Sequence, residues 1–235
     1  MPKLAYLKFN DPAPDLPVLN GEGKTIQLST LWQKQTLVLA FTRHFGCPQC
    51  KEMMDELHDV RPELEARGLA LAIMTQGTPE QAKAFCADRA PGATCLADPD
   101  RKAYTAYGLG RGSFFQTLLS PNIWKSNKRL KATKGFSPEP APAGQDTFVM
   151  SGTFIIGTDG RVRLPYYYED IADHPPVDLL LKGVMGMDWS TPIEVNITPE
   201  GEESKFGVQT PAEEKVVKRQ PARKTMSRTP SRKKS

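Results

Sequence analysis

The pattern of apolar and polar residues changes period near the middle of the first third of the chain. Residues Leu37–Phe41 form an unbroken apolar run, which is typical of a buried strand. After a short polar segment, apolar residues recur at three- and four-residue steps from Met53 to Leu64, as they do on one face of a helix. The pattern therefore predicts a strand over the apolar run, then a bend, and then a helix over about 47–67.

The remaining pattern predicts further strands alternating with helices. The predicted elements are strands at 15–19 and 25–28 around a turn, a strand at 69–74, a helix at 78–89, a strand at 96–97, a helix at 98–107, a hairpin of 153–156 and 161–167, and a helix from 175. Such alternation predicts an α/β fold with a mostly parallel or mixed sheet flanked by helices. Residues 113–146 break the alternation and predict a helical insertion, interrupted near Pro121 and followed by a loop.

Composition divides the chain into three parts. Residues 1–14 are polar and rich in proline, and we expect an extended lead-in before a single domain at 15–190. Residues 191–235 predict a disordered tail. The tail holds nine basic residues and no acidic ones from Lys215 to Ser235, which leaves 22 basic against 27 acidic residues, a net charge of −5, for 1–214. Three interpretations of the tail stay open: a solvated appendage, a contact with anionic partners, or a phosphorylation target.

No apolar stretch has the length that a transmembrane helix needs, and the first residues lack the apolar segment of a secretory signal. We therefore expect a cytoplasmic protein with no membrane partner. In reducing cytosol, cysteines are more often catalytic or metal-bound than structural.

Two cysteines stand at the predicted bend, in the sequence Cys47-Pro48-Gln49-Cys50. Pro48 suits the first turn of a helix, which places Cys47 at the helix N-terminus and Cys50 one turn further on. The helix dipole, Arg43 and His44 favour the thiolate of Cys47, which is the nucleophilic form. Cys50 can then close a disulfide and release the group that Cys47 attacked.

Two other interpretations of this pair are half of a zinc site and two inert thiols. A structural zinc site needs two more ligands, and we do not expect Cys86 and Cys95 to supply them as a close pair. Both are instead expected to be core residues, with Cys86 as a third redox partner the alternative. We therefore predict a redox-active dithiol that needs neither a metal nor an organic cofactor.

Aromatic residues recur in the insertion, at Phe114, Phe115 and Trp124. We expect them to pack the inserted helix, and the alternative is a substrate groove.

Several stretches carry a family resemblance: DPAPDLPVLNGEGKTIQLSTL, LVLAFTRHFGCPQC, LADPDRKAYTAYGL and SGTFIIGTDGRVR. Over about residues 11–187 the chain resembles the peroxiredoxin-like (AhpC/TSA) branch of the thioredoxin superfamily, and SPNIWKSN with Asp173-His174-Pro175 resembles the peroxiredoxin-like 2 type. The resemblance implies a thioredoxin-like fold, with Cys47 as the peroxidatic cysteine and Cys50 as a nearby resolving cysteine.

The chain departs from the peroxiredoxin pattern at three positions. The family's proline, its hydroxyl residue and a later arginine fall at Ala40, His44 and Ser151. In the family, the hydroxyl and the arginine orient and polarise the peroxide bond. A hypothesis is that His44 or Arg43 takes over this role.

Together, these features predict a thiol–disulfide oxidoreductase whose substrate is a peroxide or a disulfide. A cellular dithiol of the thioredoxin or glutaredoxin kind would regenerate the Cys47–Cys50 pair. The alternative from another class is a thioredoxin-fold scaffold whose basic tail contacts anionic partners.

Overall fold

A seven-stranded mixed sheet forms the centre of the structure, a computed structural model that describes residues 5–183 and Trp189. The strands are β1 (Pro17–Asn20), β2 (Thr25–Gln27), β3 (Thr36–Phe41), β4 (Leu69–Thr75), β5 (Thr94–Ala97), β6 (Gly152–Ile156) and β7 (Val162–Tyr167). Their order is β2-β1-β5-β4-β3-β6-β7, with parallel pairing only within β5-β4-β3. The predicted α/β fold is confirmed, and antiparallel pairs at both ends of the sheet make it mixed.

Five α-helices accompany the sheet within residues 5–183: α1 (Pro48–Ala66), α2 (Pro79–Arg89), α3 (Lys102–Ala106), α4 (Pro121–Lys134) and α5 (Val177–Lys182). A 3₁₀ turn (Leu28–Leu31) and a π-helical turn (Phe115–Leu119) complete them. The predicted start of α2 is confirmed, since Thr78 and Gln81 form a reciprocal capping box. Helix α1 continues through Pro62, which is exposed, so the hydrogen bond that proline removes is lost at the surface rather than in the core.

Strand β3 is buried along its whole length because both faces of the sheet are covered. Its alternate side chains enter two cores. Phe41 packs against Tyr104 and Phe154 on one side, and Val38 belongs with Met54 of α1 to the other. The strand thus gives the bend that follows it a rigid base.

The π-helical turn and α4 lie within the predicted insertion at 113–146, and the break in the helix lies between them. The expectation that its aromatic residues pack it onto the domain is wrong. Phe114, Phe115 and Trp124 are exposed, while Ile123 and Leu130 are buried. A seven-residue step puts Ile123 and Leu130 on one face of α4, and this face makes the contact instead.

The expectation that Cys86 and Cys95 are not a close pair is also wrong. A disulfide joins them, with their Cα atoms 6.2 Å apart. Cys86 lies in α2 and Cys95 in β5, and the short loop between these elements returns the chain so that the two side chains meet. The bond ties α2 to the sheet.

The described part of the lead-in is bound to the start of β7. Asn10 N–H donates to Val162 O (2.7 Å), and Val162 N–H donates to Asp11 O (2.9 Å). The predicted tail at 191–235 lies outside the described residues. Within 5–183, none of the helices is at once long and apolar enough to span a bilayer.

Candidate active site

Cys47 occupies the N-cap position of α1, as the sequence predicts. Its Sγ accepts a hydrogen bond from the backbone N–H of Cys50 at 3.4 Å, and Pro48 follows in the first turn. A sulfur in this position receives the positive end of the helix dipole. Only 1% of Cys47 is exposed, so its chemistry depends on the groups and the cavity around it.

Arg43 is buried beside Cys47, with Nη1 3.6 Å from the Cys47 Sγ. Its Nε donates to Val149 O at 3.2 Å, and its Nη2 donates to Thr147 O. These carbonyls belong to the segment that leads into β6. Two backbone acceptors therefore fix the guanidinium so that one edge faces the sulfur.

Cys50 lies one turn into the helix, also buried, and its Sγ accepts the backbone N–H of Arg43 at 3.3 Å. Burial and the neighbouring Cys47 thiolate raise the pKa of Cys50 well above that of a free thiol. Burial also raises the pKa of Cys47, but hydrogen bonds from Cys50 and the charge of Arg43 outweigh it and bring that pKa down to about 6. The two thiols therefore differ in kind: the first ionises near neutral pH and the second does not.

His44 lies in the same bend, buried on the wall of the cavity described below. Its backbone carbonyl accepts the N–H of Cys47 at 3.0 Å. Burial lowers the pKa of its imidazole to about 4, with Arg43 and Lys51 adding to the effect. The ring is therefore neutral at pH 7, and its Nδ1 has no hydrogen-bond partner among the described residues.

A cavity of about 530 Å³ opens onto Cys47, which makes the sulfur reachable despite its burial. Its wall is mainly apolar, and the insertion supplies Leu118, Ile123 and Trp124. Arg43 and His44 lie on the same wall. The cavity thus combines an apolar surface with a small polar end at the thiol.

Two glutamines, which the sequence analysis missed, hold the site together. Gln76 donates to Arg43 O (2.7 Å) and accepts the N–H of Asp146 (2.9 Å), so it joins the bend to the loop after the insertion. Gln49, within the motif, has its Oε1 3.6 Å from the Cys47 Sγ and donates to Asn127 Oδ1 at 2.7 Å. No local signal marks these two links, because Asp146 lies 70 positions from Gln76 and Asn127 lies 78 positions from Gln49.

The loop after the insertion packs tightly on the bend. Glu139 N–H donates to Gly46 O at 3.0 Å, and the Glu139 carboxylate binds Lys51 Nζ at 2.6 Å. A Cβ on Gly46 would lie 2.2 Å from Glu139 O, so glycine is needed for this approach.

One group of metal-ligating side chains occurs among the described residues: Glu52, Glu56 and His174. Arg129 binds both carboxylate oxygens of Glu52 at 2.6 and 2.7 Å, and His174 Nε2 lies 3.0 Å from Glu56. Glu52 is thus paired with Arg129 and Glu56 with His174, and neither Cys47 nor Cys50 belongs to the cluster. His174 is therefore bound to Glu56 of α1.

Comparison with known proteins shows the family of the chain. The model of the AhpC/TSA family matches residues 9–164. Peroxiredoxin-like 2C of Bos taurus is 26% identical over 192 residues, which cover 75% of this chain and 81% of that protein. The thioredoxin-like protein AAED1, chloroplastic, of Arabidopsis thaliana is 27% identical over 179 residues, covering 73% of this chain and 71% of that protein.

A solved structure shares the fold. The peroxiredoxin-like protein from Aquifex aeolicus superposes with a TM-score of 0.55 at 16% identity, over 75% of this chain and 85% of that chain.

Proposed function

Because the chain belongs to the AhpC/TSA family of peroxiredoxin-like, thioredoxin-fold proteins, we propose that it is a thiol-dependent oxidoreductase in which Cys47 attacks a peroxide or a disulfide and Cys50 resolves the product. The observation that carries the proposal is the position of the Cys47 Sγ, at the N-terminus of α1 and 3.6 Å from Arg43 Nη1. Both features stabilise a thiolate at neutral pH.

In the first step, the Cys47 thiolate attacks one atom of a weak bond. With a peroxide, an S–O bond forms, the O–O bond breaks, and the departing alkoxide takes a proton to leave as an alcohol or water, so that Cys47 becomes a sulfenic acid. With a disulfide, an S–S bond to Cys47 forms and the other substrate sulfur leaves as a thiolate. The peroxide reaction oxidises the Cys47 sulfur by two electrons. The disulfide reaction is an exchange, and the two-electron oxidation of the protein is complete only when Cys50 has reacted.

In the second step, Cys50 attacks the Cys47 sulfur. The negative charge of Cys47 helps to raise the pKa of Cys50 before the reaction, and the first step removes that charge. Cys50 therefore ionises more easily once its partner has reacted. An S–S bond forms between the two cysteines, and hydroxide (as water) or the substrate thiolate leaves.

We assign to Arg43 and His44 the contacts with substrate that an arginine and a hydroxyl residue make in the family. His44 occupies the position of the hydroxyl residue, whereas the position of the family's arginine holds Ser151. Arg43 is fixed by two carbonyls and faces the reacting sulfur, so it can stabilise the charge that develops on the leaving oxygen or sulfur. His44 presents a neutral ring to the same cavity and can hydrogen-bond the substrate.

A dithiol protein of the thioredoxin or glutaredoxin kind would return the Cys47–Cys50 disulfide to the reduced form with two electrons and two protons. We place this cycle in the cytoplasm, where such reductants are maintained. The cycle needs neither a metal nor an organic cofactor.

The test is the stopped-flow reaction of the reduced protein with hydrogen peroxide and, separately, with a small disulfide, followed by mass analysis of the Cys47 peptide. We expect one of the two oxidants to react with the protein far faster than it reacts with a free thiol. The product of that reaction should be a Cys47–Cys50 disulfide. The Cys50→Ser variant should react once and stop at the sulfenic acid or the mixed disulfide.

Cys47→Ser is the matched control, since it changes one atom at the attacking position. It should stay folded and lose both reactions. If the reduced protein reacts with both oxidants no faster than a free thiol, the proposal is wrong, and the scaffold hypothesis takes its place.

A further inference from the structure

Exposed apolar residues are concentrated in one short part of the chain. Among the described residues, seven large apolar side chains are exposed, and five of them lie within 114–124. Each of the five exposes between 48% and 68% of its surface. We call these five the apolar patch: Phe114, Phe115, Leu118, Leu119 and Trp124.

The apolar patch is continuous across two elements. It begins just before the π-helical turn, and the indole N–H of Trp124 in α4 donates to Leu118 O at 3.2 Å. Leu118 and Trp124 also line the cavity that holds Cys47. The patch therefore adjoins the opening of the candidate active site.

The segment that carries the patch has side chains of one sign of charge, and acidic residues of other segments contact it at Ser120 and Gln116, through Asp170 and the backbone of Glu169. Residues 109–138 contain six basic residues and no acidic ones. Three of the six are paired with acids outside the segment: Arg111 with Asp146, Arg129 with Glu52, and Lys134 with Asp55.

The other three basic residues, Lys125, Lys128 and Lys131, are exposed and form no ion pair among the described residues. Lys128 and Lys131 lie four and seven positions after Trp124, so they share its side of α4. The surface therefore presents aromatic and leucine side chains edged by unpaired positive charge.

We propose that the apolar patch docks on the surface of an anionic lipid bilayer, with Lys125, Lys128 and Lys131 against the headgroups. Aromatic and leucine side chains beside lysines are the composition of elements that lie in the membrane interface. The positive edge is complementary to anionic headgroups, and a contiguous exposed apolar surface marks an interaction site. Docking would bring the opening of the Cys47 cavity to the lipid surface. The inference concerns binding and does not depend on the proposed redox chemistry.

The test is sedimentation of the full chain with vesicles of phosphatidylcholine alone or with about a third of phosphatidylserine. We expect binding to the anionic vesicles. Replacing Lys125, Lys128 and Lys131 by Gln should weaken it about 100-fold, since each lysine near such a surface contributes about fivefold. Phe114→Ser with Phe115→Ser should also weaken binding, by at least tenfold.

The matched control replaces Lys8, Lys24 and Lys34 by Gln. These lysines are also exposed, so the loss of charge is the same, and they lie outside the patch. All variants keep the basic tail, so a contact made by the tail alone would leave every variant equal to the parent.

A blue shift of tryptophan emission on the anionic vesicles, lost in Trp124→Phe, would support insertion of the patch. The proposal is overturned if the full chain does not bind the vesicles, or if the patch variants and the control triple bind equally. It is also overturned if the chain forms a dimer in solution that the Phe114 and Phe115 changes dissociate, since a second copy would then cover the patch.

Discussion

The charge of Arg43 should set the reactivity of Cys47, and Arg43→Met tests this. The change removes the guanidinium while keeping a long side chain in a buried position. With Nη1 3.6 Å from the Cys47 Sγ, Coulomb's law at an effective dielectric constant of about 20 gives an upper limit of about 5 kcal/mol for the pair. A nearby opposite charge typically lowers the pKa of an acid by about 1–3 units. We therefore expect the pKa of Cys47 to rise from about 6 to about 8.

The assay is the rate of alkylation of Cys47 by iodoacetamide between pH 5 and 10, followed by mass analysis of its peptide. At pH 7 the thiolate fraction should fall from about 0.9 to about 0.1. A more basic thiolate is also more nucleophilic, by about eightfold over two pKa units. These effects on the alkylation rate nearly cancel at pH 7. The variant is therefore recognised by the shifted midpoint of the rate against pH and by a higher maximal rate above pH 9.

The reaction with the substrate separates the two roles assigned to Arg43. If it only lowers the pKa, the rate with peroxide or disulfide should follow the alkylation rate. If it also stabilises the leaving group, that rate should fall by a further factor of about 100 or more. Arg43→Lys, which keeps the charge but not the planar donors, is the control. An alkylation midpoint within 0.3 units of the parent's would refute the electrostatic argument.

Two further predictions concern stability. Replacing Cys86 and Cys95 by Ser should lower the free energy of unfolding in urea by about 2.7 kcal/mol, from the entropy of a loop of about ten residues; an unchanged midpoint without reductant would contradict the bond. The pKa of His44 in the folded protein, about 4, lies below the ordinary value of 6.5. The contribution of the neutral ring to the free energy of unfolding is therefore complete above pH 6.5 and is lost as the pH falls towards 4. As the pH falls through this window, the free energy of unfolding of the parent should decrease relative to that of His44→Gln, by up to about 1.4 kcal/mol per pH unit. Equal pH dependences of the two free energies would contradict the burial of a neutral ring.

The sequence predicted those features that depend on local pattern. The buried run of β3, the bend and the start of α1 at Pro48 were predictable because apolar periodicity and a first-turn proline are local signals. They place Cys47 and Cys50 without further information. The contact of Arg43 with Cys47 also spans only four positions, so it falls within reach of a local argument.

What the sequence did not predict depends on contacts between distant segments. The disulfide of Cys86 with Cys95 requires α2 to pack along β5, and helix periodicity alone does not say which strand a helix covers. The exposure of Trp124 was not predicted, because an aromatic residue close to the apolar face of a helix is expected to be buried. Ile123 and Leu130 form the buried face of α4 instead. The role of Gln76 depends on the loop that returns at Asp146.

The order in which the two motif cysteines react follows from their positions along α1. The N-cap side chain meets the free N–H groups of the first turn, and Cys47 has Arg43 beside it as well. Cys50 lies one turn deeper, where burial and the neighbouring thiolate both oppose a second negative charge. Exchanging their roles would require Cys50 to ionise first, in the less favourable position. In Cys47→Ser, Cys50 should ionise more easily than in the parent, because the competing charge is gone. It should still react far more slowly at pH 7 than Cys47 does in the parent, because it stays buried and lacks the N-cap position.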